Sequence, residues 1–162
     1  MSFTPNYLTP VEFQVSISRL PNVQFFTQQT SIPGLSTSPV MVPTRFNKTY
    51  RAADEVEFSN LDLTFIVDEQ MNNYREIFDW IIAASFPESH VQHQTISENL
   101  YSDISVLILN SKKNANINIT YKNCFPISLS EIQLSTVESD VVYPQVTASF
   151  QYDSFDVNLL SS

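Results

Sequence analysis

Glycine is almost missing from this 162-residue chain, in which Gly34 is the only one. Phosphate-binding loops, the dinucleotide-binding fingerprint and the glycine-flanked serine elbow of hydrolases all need several glycines, because their backbone turns tightly or approaches a ligand closely. The sequence therefore excludes these nucleotide-binding and hydrolase motifs. Cys124 is likewise the only cysteine, which excludes an internal disulfide and a cysteine-based zinc site.

Positive charge is also scarce: 8 lysines and arginines against 17 acidic residues leave a formal net charge of −9. A protein that binds nucleic acid through its phosphates needs the opposite balance. No apolar run approaches the roughly 20 residues of a membrane-spanning helix. The first residues show no basic region followed by an apolar core, so we expect no signal peptide. We therefore expect an acidic protein that stays in the cytoplasm where it is made, with no membrane insertion and no specific binding of DNA.

The reactive side chains form no convincing catalytic or metal-binding set. His90 and His93 could hold a metal together with Glu88 or Glu98 if they lay on one helix face, but a proline interrupts the helical pattern just upstream. Cys124 has no possible base other than those two histidines, and a small buried residue is the simpler interpretation. We therefore predict no enzyme activity, no catalytic residue, no metal site and no cofactor.

Alternating apolar and polar residues predict a mainly β chain. The clearest strands are Val11–Leu20, Leu61–Val67, Ile104–Ile108, Ile117–Tyr121 and Val146–Tyr152. A strand at Val23–Thr30 is predicted to form a hairpin with the first one, and a strand at Leu129–Thr136 is predicted to point Ile132 and Leu134 inward. Ser31-Ile32-Pro33-Gly34 has the pattern of a type II turn.

One helix interrupts the strands. Apolar residues follow the i, i+3, i+4, i+7, i+8 spacing of an amphipathic helix at Tyr74, Ile77, Phe78, Ile81 and Ile82. We place this helix at about residues 70–85. Since 43% of the residues are apolar, the chain can bury a real core. The expected architecture is a single domain over residues 1–162, an antiparallel β-sandwich or barrel flanked by the helix.

The charges are unevenly distributed along the chain. Segment Thr44–Asp54 combines three of the basic residues with two aromatic residues: Arg45, Phe46, Lys48, Tyr50 and Arg51. Residues 126–162 hold five acidic residues and no lysine or arginine. One interpretation is a solvated loop on an acidic protein. The other is that the basic segment of one copy docks on an acidic surface of another, a heterologous contact that builds rings or filaments.

The candidate acidic partners of the basic segment, which could alternatively line a lumen, are Glu57, Asp62, Glu131, Glu138 and Asp140.

Three blocks of the sequence resemble the tail tube proteins of contractile phages. The first is Phe13-Gln14-Val15-Ser16-Ile17, followed by the Ser31-Ile32-Pro33-Gly34 turn, and the second runs from Arg45 to Trp80. The third comprises Tyr121-Lys122-Asn123-Cys124-Phe125-Pro126, then Ser130-Glu131-Ile132-Gln133-Leu134, then Val146–Tyr152. The order of the blocks, the length and the single helix carry the resemblance. Cys124 departs from it, since that family favours a small residue, often glycine.

The resemblance implies a structural protein of the virion. Its homohexameric rings would stack into the inner tube of a contractile tail, with strands of every subunit forming one barrel around a lumen that conducts DNA into the host cell. The implied partners are further copies, the tail sheath protein, baseplate tube proteins, the tape measure protein and the tail terminator, assembled in the host cytoplasm. Thr44–Asp54 would be the segment that contacts the next ring, and acidic residues in the lumen would repel phosphates.

Other interpretations stay open at this point. The tube protein of a bacterial contractile injection system cannot be separated from a phage tube protein by sequence. Baseplate proteins that initiate a tube usually carry extra domains, for which 162 residues leave no room. A small-ligand-binding β-barrel would be a monomer with a pocket, and an enzyme on a β-sandwich would need a catalytic set.

Overall fold

The computed structural model describes residues 12–52, 55–85, 100–110, 112–135 and 143–160. The helices are α1 (Pro21–Phe26) and α2 (Asn72–Ser85). The strands are β1 (Phe13–Ile17), β2 (Thr27–Thr30), β3 (Leu35–Thr37), β4 (Val40–Pro43), β5 (Lys48–Arg51), β6 (Val56–Phe58), β7 (Leu61–Ile66), β8 (Ser102–Leu109), β9 (Ala115–Leu129), β10 (Gln145–Gln151) and β11 (Ser154–Leu159). A mainly β, antiparallel fold with one long helix is thus confirmed. The described strands form open sheets, without a closed barrel.

The long strand β9 joins two antiparallel sheets. Its first part pairs with β8 and β11, and β8 pairs in turn with β1, which we call the first sheet. Its last part pairs with β10, followed by β7 and β2, which we call the second sheet. Asn123 lies at the transition with a φ of 55°. Asparagine tolerates this left-handed conformation better than most residues.

Side chains of the transition hold this change of sheet in place. The Asn123 backbone N–H donates to Asp103 Oδ1 at 3.0 Å, and Asn123 Nδ2 donates to Asp153 Oδ2 at 2.7 Å. The next residue, Cys124, is fully buried in the core. The resemblance to tail tube proteins favours a small residue at this position, often glycine. Cys124 differs from glycine but is itself small and fits the buried position.

The hydrophobic core is formed by the inward-facing residues of both sheets and by the buried face of α2. The buried strand residues follow the predicted alternation and include Val15, Ile17, Leu61, Leu63, Phe65, Ile104, Val106, Ile108, Ile119, Tyr121, Val146, Ala148 and Phe150. Trp80 of α2 packs on Phe150 with ring centroids 6.1 Å apart. Trp80 Nε1 also donates to the Leu100 carbonyl at 2.9 Å, which fixes the helix against the body.

The buried face of α2 is rotated relative to the predicted stripe. Its buried residues are Asn73, Ile77, Trp80 and Ala83. Of the predicted stripe only Ile77 is fully buried, and Phe78 is 48% exposed. The rotation has a polar cause: Asn73 Nδ2 donates to the Ile66 carbonyl at 2.7 Å, so this asparagine must face the end of β7.

The predicted hairpin at the N-terminal end is wrong. Residues Pro21–Phe26 form α1 rather than a strand, with proline at the start, where its missing N–H costs nothing. Leu20 and Val23 are buried by this short helix. The remaining strand β2 pairs with β7, and β1 pairs with β8 instead.

The predicted type II turn is also wrong, because Gly34 has no positive φ. Its carbonyl accepts a hydrogen bond from the Ser59 N–H at 3.1 Å. The strand predicted to begin at Leu129 is absent from residues 130–135, because β9 ends at Leu129. Leu134 is 88% exposed and does not point inward. Strand β11 was not predicted and pairs with the first part of β9.

Candidate assembly surfaces

Residues 35–52 and 55–58 form an arm inserted between β2 and β7. Its inner ladder pairs β3 with β6, and its outer ladder pairs β4 with β5. At the tip, the Thr44 N–H donates to the Asn47 carbonyl at 2.9 Å, which closes the turn. Part of the segment predicted as a loop, Thr44–Asp54, is therefore the strand β5.

The arm exposes an unusual amount of apolar surface for a β-hairpin. Its exposed large apolar residues are Leu35, Val40, Met41, Phe46, Tyr50 and Val56. Phe46 at the tip is 94% exposed. Exposed apolar side chains in this number on one projecting element favour an interaction site, because water would otherwise have to cover them.

All five predicted contact residues lie together on the outer part of the arm. Arg45 and Phe46 are in the tip, and Lys48, Tyr50 and Arg51 are in β5. The Arg45 guanidinium lies 5.9 Å from the centre of the Phe46 ring. Within the described residues none of the three cations is in an ion pair, and Lys122–Asp156 is the ion pair that is seen. The cations of the arm are thus available to a partner.

The base of the arm is fixed to the body by aromatic packing. Phe58 packs against Tyr152 and Phe155, with ring centroids 5.8 and 5.9 Å apart. The Tyr152 hydroxyl donates to the Ser59 carbonyl at 2.8 Å. The arm therefore leaves the body at a defined point, next to the first residue of β7.

The outer face of the second sheet is polar and poor in charge. Asp62 is the charged residue among the outward positions of β7 and β10, and it accepts a hydrogen bond from the Ser149 hydroxyl at 2.6 Å. Thr64 and Thr147 share a hydrogen bond of 2.9 Å on the same face. No lysine or arginine lies in β2, β7, β10 or residues 125–129.

The second sheet has two free edges within the described part of the chain. Strand β2 pairs with β7 alone, and residues 125–129 of β9 pair with β10 alone. Ile127 on the latter edge is 44% exposed. Unpaired N–H and C=O groups of this kind are a template for pairing with another chain.

An open cavity of about 710 Å³ lies at the end of the second sheet away from the arm. We call it the end pocket. Its lining is mostly apolar: Phe26, Ile66, Val67, Met71, Ile132, Leu134, Tyr143 and Pro144. Asp68 and Glu69 supply the charged groups of the lining. The pocket was not predicted from the sequence, although the sequence shows the acidic pair Asp68 and Glu69 shortly after the buried strand β7.

The predicted acidic residues that the structure describes lie in three different segments. Glu57 lies in β6 of the arm, Asp62 in β7, and Glu131 just beyond β9. Glu138 and Asp140 lie outside the described residues.

Residues proposed for metal binding or reactivity offer no site in the described chain. His90, His93, Glu88 and Glu98 lie outside the described residues. Across the remaining positions, no three metal-ligating side chains come together. Burial raises the pKa of the Cys124 thiol to about 12, so at neutral pH this thiol is neutral and unreactive. None of the described helices is long and apolar enough to cross a membrane.

Comparison with known proteins was made at the level of sequence and of fold. A sequence model of the family described as phage tail tube protein matches residues 2–158. The tail tube terminator protein of Enterobacteria phage T4 is 26% identical over 160 residues, which cover 94% of this chain and 89% of that protein.

Two solved structures share the fold. A chain of the extended sheath–tube complex of the extracellular contractile injection system PVC gives a TM-score of 0.70 at 15% identity, covering 95% of this chain and 93% of that one. A chain of the tube-terminating cap of the anti-feeding prophage gives a TM-score of 0.71 at 14% identity, covering 99% and 97%.

Proposed function

Since the chain belongs to the phage tail tube protein family, we propose that six copies close into a ring and that these rings stack into the inner tube of a contractile tail. The tube would conduct genomic DNA into the host cell. The resemblance of the sequence to contractile-phage tube proteins implies three parts of this proposal: the number of six copies, the passage of DNA, and assembly of the virion in the host cytoplasm. The residues of this chain support the proposal at three surfaces.

The observation that carries the proposal is the pair of free edges on the second sheet. In a ring, β2 of one copy lies next to residues 125–129 of the following copy, and the sheet continues across the contact. Each copy then contributes four strands, β9, β10, β7 and β2, to a common barrel. Closure would satisfy both edges, which in the described part of a single copy stay open to uncontrolled pairing.

The polar face of the second sheet suits the inside of such a barrel. Its hydroxyl and amide groups keep it hydrated, and its charged group, Asp62, has the same sign as DNA phosphates. Without lysine or arginine on these strands, phosphates find no counter-charge to hold them. DNA would therefore slide along this face rather than bind to it.

The exposed arm suits contacts between stacked rings. Its apolar and cationic residues are exposed among the described residues and would be covered by a partner. The other partners in this proposal are the sheath around the tube, baseplate tube proteins at one end, the tape measure protein inside the tube during assembly, and a terminator at the other end. The chain acts through these contacts and needs no cofactor.

A second candidate function is that of the terminator itself. It is favoured by the similarity to the T4 tail tube terminator over nearly the whole chain. A terminator would use the same ring but would bind the last ring of a tube made of another protein. It would therefore form single rings that do not elongate alone.

The test is negative-stain electron microscopy together with native mass measurement over a range of protein concentrations. Hollow sixfold rings that stack into tubes support the tube function. Single sixfold rings that stay unstacked at every concentration favour the terminator function. A monomer at the highest concentration contradicts unaided ring closure and leaves two options, a tube protein that needs a baseplate to nucleate its ring or a ligand-binding barrel.

A further inference from the structure

The inner face of the first sheet is apolar across all four of its strands. Residues directly opposite each other in a ladder share a face, so the register defines three rows that run from β1 through β8 and β9 to β11. The rows are Ile17, Ile104, Tyr121 and Phe155, then Val15, Val106, Ile119 and Val157, then Phe13, Ile108, Ile117 and Leu159. In the first two rows, the members on β1, β8 and β9 are buried.

The third row stays open to water in the described part of the chain. Ile108 is buried, Phe13 and Ile117 are partly buried, and Leu159 is 77% exposed. Leu160, the next residue along the chain, is also exposed. We call Phe13, Ile117, Leu159 and Leu160 the open row. Apolar side chains that lie on the core side of a sheet and still meet water indicate a contact surface.

We propose that residues 1–11 of the same chain fold back along the open row and cover it. These residues lie outside the described part of the chain and lead directly into β1. Phe13, the first residue of β1, is itself a member of the open row. The segment is therefore tethered at one end of the surface that it covers. A short tether gives an effective concentration in the millimolar range, which favours the segment of the same chain over that of another copy.

The segment is long enough to reach the far end of the open row. Strands β1 and β11 are three inter-strand spacings apart in the sheet. At about 4.8 Å for each spacing, this distance is roughly 14 Å. An extended chain advances about 3.3 Å per residue, so roughly four or five residues beyond Glu12 cross the sheet. Tyr7 and Leu8 then meet Leu159 and Leu160.

The composition of the segment suits a covered position. Residues 1–11 contain no charged side chain, although 15% of the whole chain is charged. Segments that stay in solvent are typically rich in charge and poor in aromatic residues. Pro5 and Pro10 favour an extended backbone and cannot donate to a strand ladder, so the contact is made by side chains. The apolar side chains available for it are Met1, Phe3, Tyr7, Leu8 and Val11.

A covered open row also limits which surfaces of two copies can meet. Strand β11 pairs with β9 alone in the described part of the chain, so its other edge is free. An apolar strip along a free edge invites pairing with other chains. With residues 1–11 over this strip, copies of the protein meet through the second sheet and the arm instead.

The first test is a cross-link within one chain, in the double variant Asn6→Cys with Leu159→Cys. A short bismaleimide should join the two introduced thiols, and the native thiol does not compete because Cys124 is fully buried.

The matched control for this cross-link is Asn6→Cys with Lys112→Cys. Lys112 is exposed in the turn after β8, and this turn lies beside the start of β1, where the Leu109 N–H donates to the Glu12 carbonyl at 2.9 Å. A segment that moves freely in solvent would reach this turn at least as easily as Leu159. A segment held on the open row should give at least about tenfold less product in the control.

The second test measures how Leu159→Ala changes the melting temperature in two backgrounds, the parent and the double variant Tyr7→Ser with Leu8→Ser. Truncating a side chain that is open to water has almost no effect. Beneath the segment, Leu159→Ala removes packed contacts, so the melting temperature of the parent should fall by about 2–4 °C. In the serine background it should hardly change. The control Leu134→Ala, at a leucine on the end pocket, should have the same effect in both backgrounds.

Three results would overturn the inference. One is a cross-link to position 159 that is no stronger than the cross-link to position 112. Another is a Leu159→Ala effect that is equal in both backgrounds. The third is a cross-link between mixed single-cysteine chains that exceeds the one within the double variant, since the segment then covers a neighbouring copy. Neither measurement requires a ring, so the proposed function stands whichever result is found.

Discussion

Single buried polar groups hold the junction between β7 and α2. Asn73 is fully buried, and its Oδ1 accepts a hydrogen bond from the Asp68 N–H at 3.2 Å while its Nδ2 binds the Ile66 carbonyl. Leaving buried partners of this kind unsatisfied costs about 1–3 kcal/mol. The junction therefore stays fixed, and with it the positions of Asp68 and Glu69 at the end pocket.

The buried Cys124 thiol and Tyr121 hydroxyl make the free energy of unfolding depend on pH in the alkaline range. Burial raises the pKa of the Cys124 thiol from 9.0 to about 12 and also raises the pKa of the Tyr121 hydroxyl. Above about pH 9 the unfolded chain releases the thiol proton while the folded chain keeps it. The thiol therefore contributes fully to the free energy of unfolding below pH 9, and this contribution is lost as the pH rises through 12. The loss is at most about 1.4 kcal/mol per pH unit for each group.

We therefore expect the urea midpoint of unfolding to fall between pH 8 and pH 10, and to fall less steeply in Cys124→Ala. The variant loses the thiol share of the pH dependence but keeps that of Tyr121. Its midpoint at pH 8 will be lower, because a buried side chain has been truncated. Equal steepness in both proteins would contradict the assignment to Cys124.

Among the elements, those with a clear hydrophobic period were predictable from sequence. Strands β7, β8 and β10 and helix α2 lie where alternation or the helical spacing placed them. The partner of β2 was not predictable, because β2 joins β7 across the whole arm, whereas the sequence favoured its nearest neighbour β1. Strand β11 was missed although Phe155, Val157 and Leu159 alternate with polar residues.

The free edge at residues 125–129 gives a prediction about ring closure. Natural sheets protect exposed edges with charged side chains, so Ile127→Glu should block pairing with β2 of the next copy. We expect native mass to show a shift from rings to monomers. Because Ile127 is 44% exposed, the melting temperature of the monomer should hardly change.

The control for this variant is Val157→Glu, which places the same charge on the exposed part of β11, an edge of the first sheet. It should form rings as the parent does. If Ile127→Glu closes rings normally, the second sheet does not continue across subunits through this edge.

At the scale of the whole molecule, the contact residues of the arm could be predicted from the sequence, whereas the end pocket could not. The basic and aromatic residues of the arm are close in sequence, so their cluster was visible as letters alone. The end pocket combines Phe26, Val67, Ile132 and Pro144, which come from four distant segments. Only the pairing of β2, β7 and β10, and the return of the chain after β9, bring these residues to one end of the molecule.

In the proposed stack, the net charge of −9 would set overall repulsion between copies against local attraction at their contacts. Copies of like charge repel one another, and the three cations of the arm are the described groups that can offset this where rings meet. The double variant Arg45→Glu with Lys48→Glu should therefore fold normally and close rings, but form much shorter stacks, measured as tube lengths in electron micrographs.

The matched control for this charge change is Lys112→Glu with Lys113→Glu in the turn between β8 and β9, where both residues are exposed. Both double variants become more negative by the same four charges, so overall repulsion increases equally. If the charge acts only through the whole molecule, the two variants shorten the stacks alike. If the arm tip binds an acidic surface of the next ring, the arm variant shortens them far more than the turn variant.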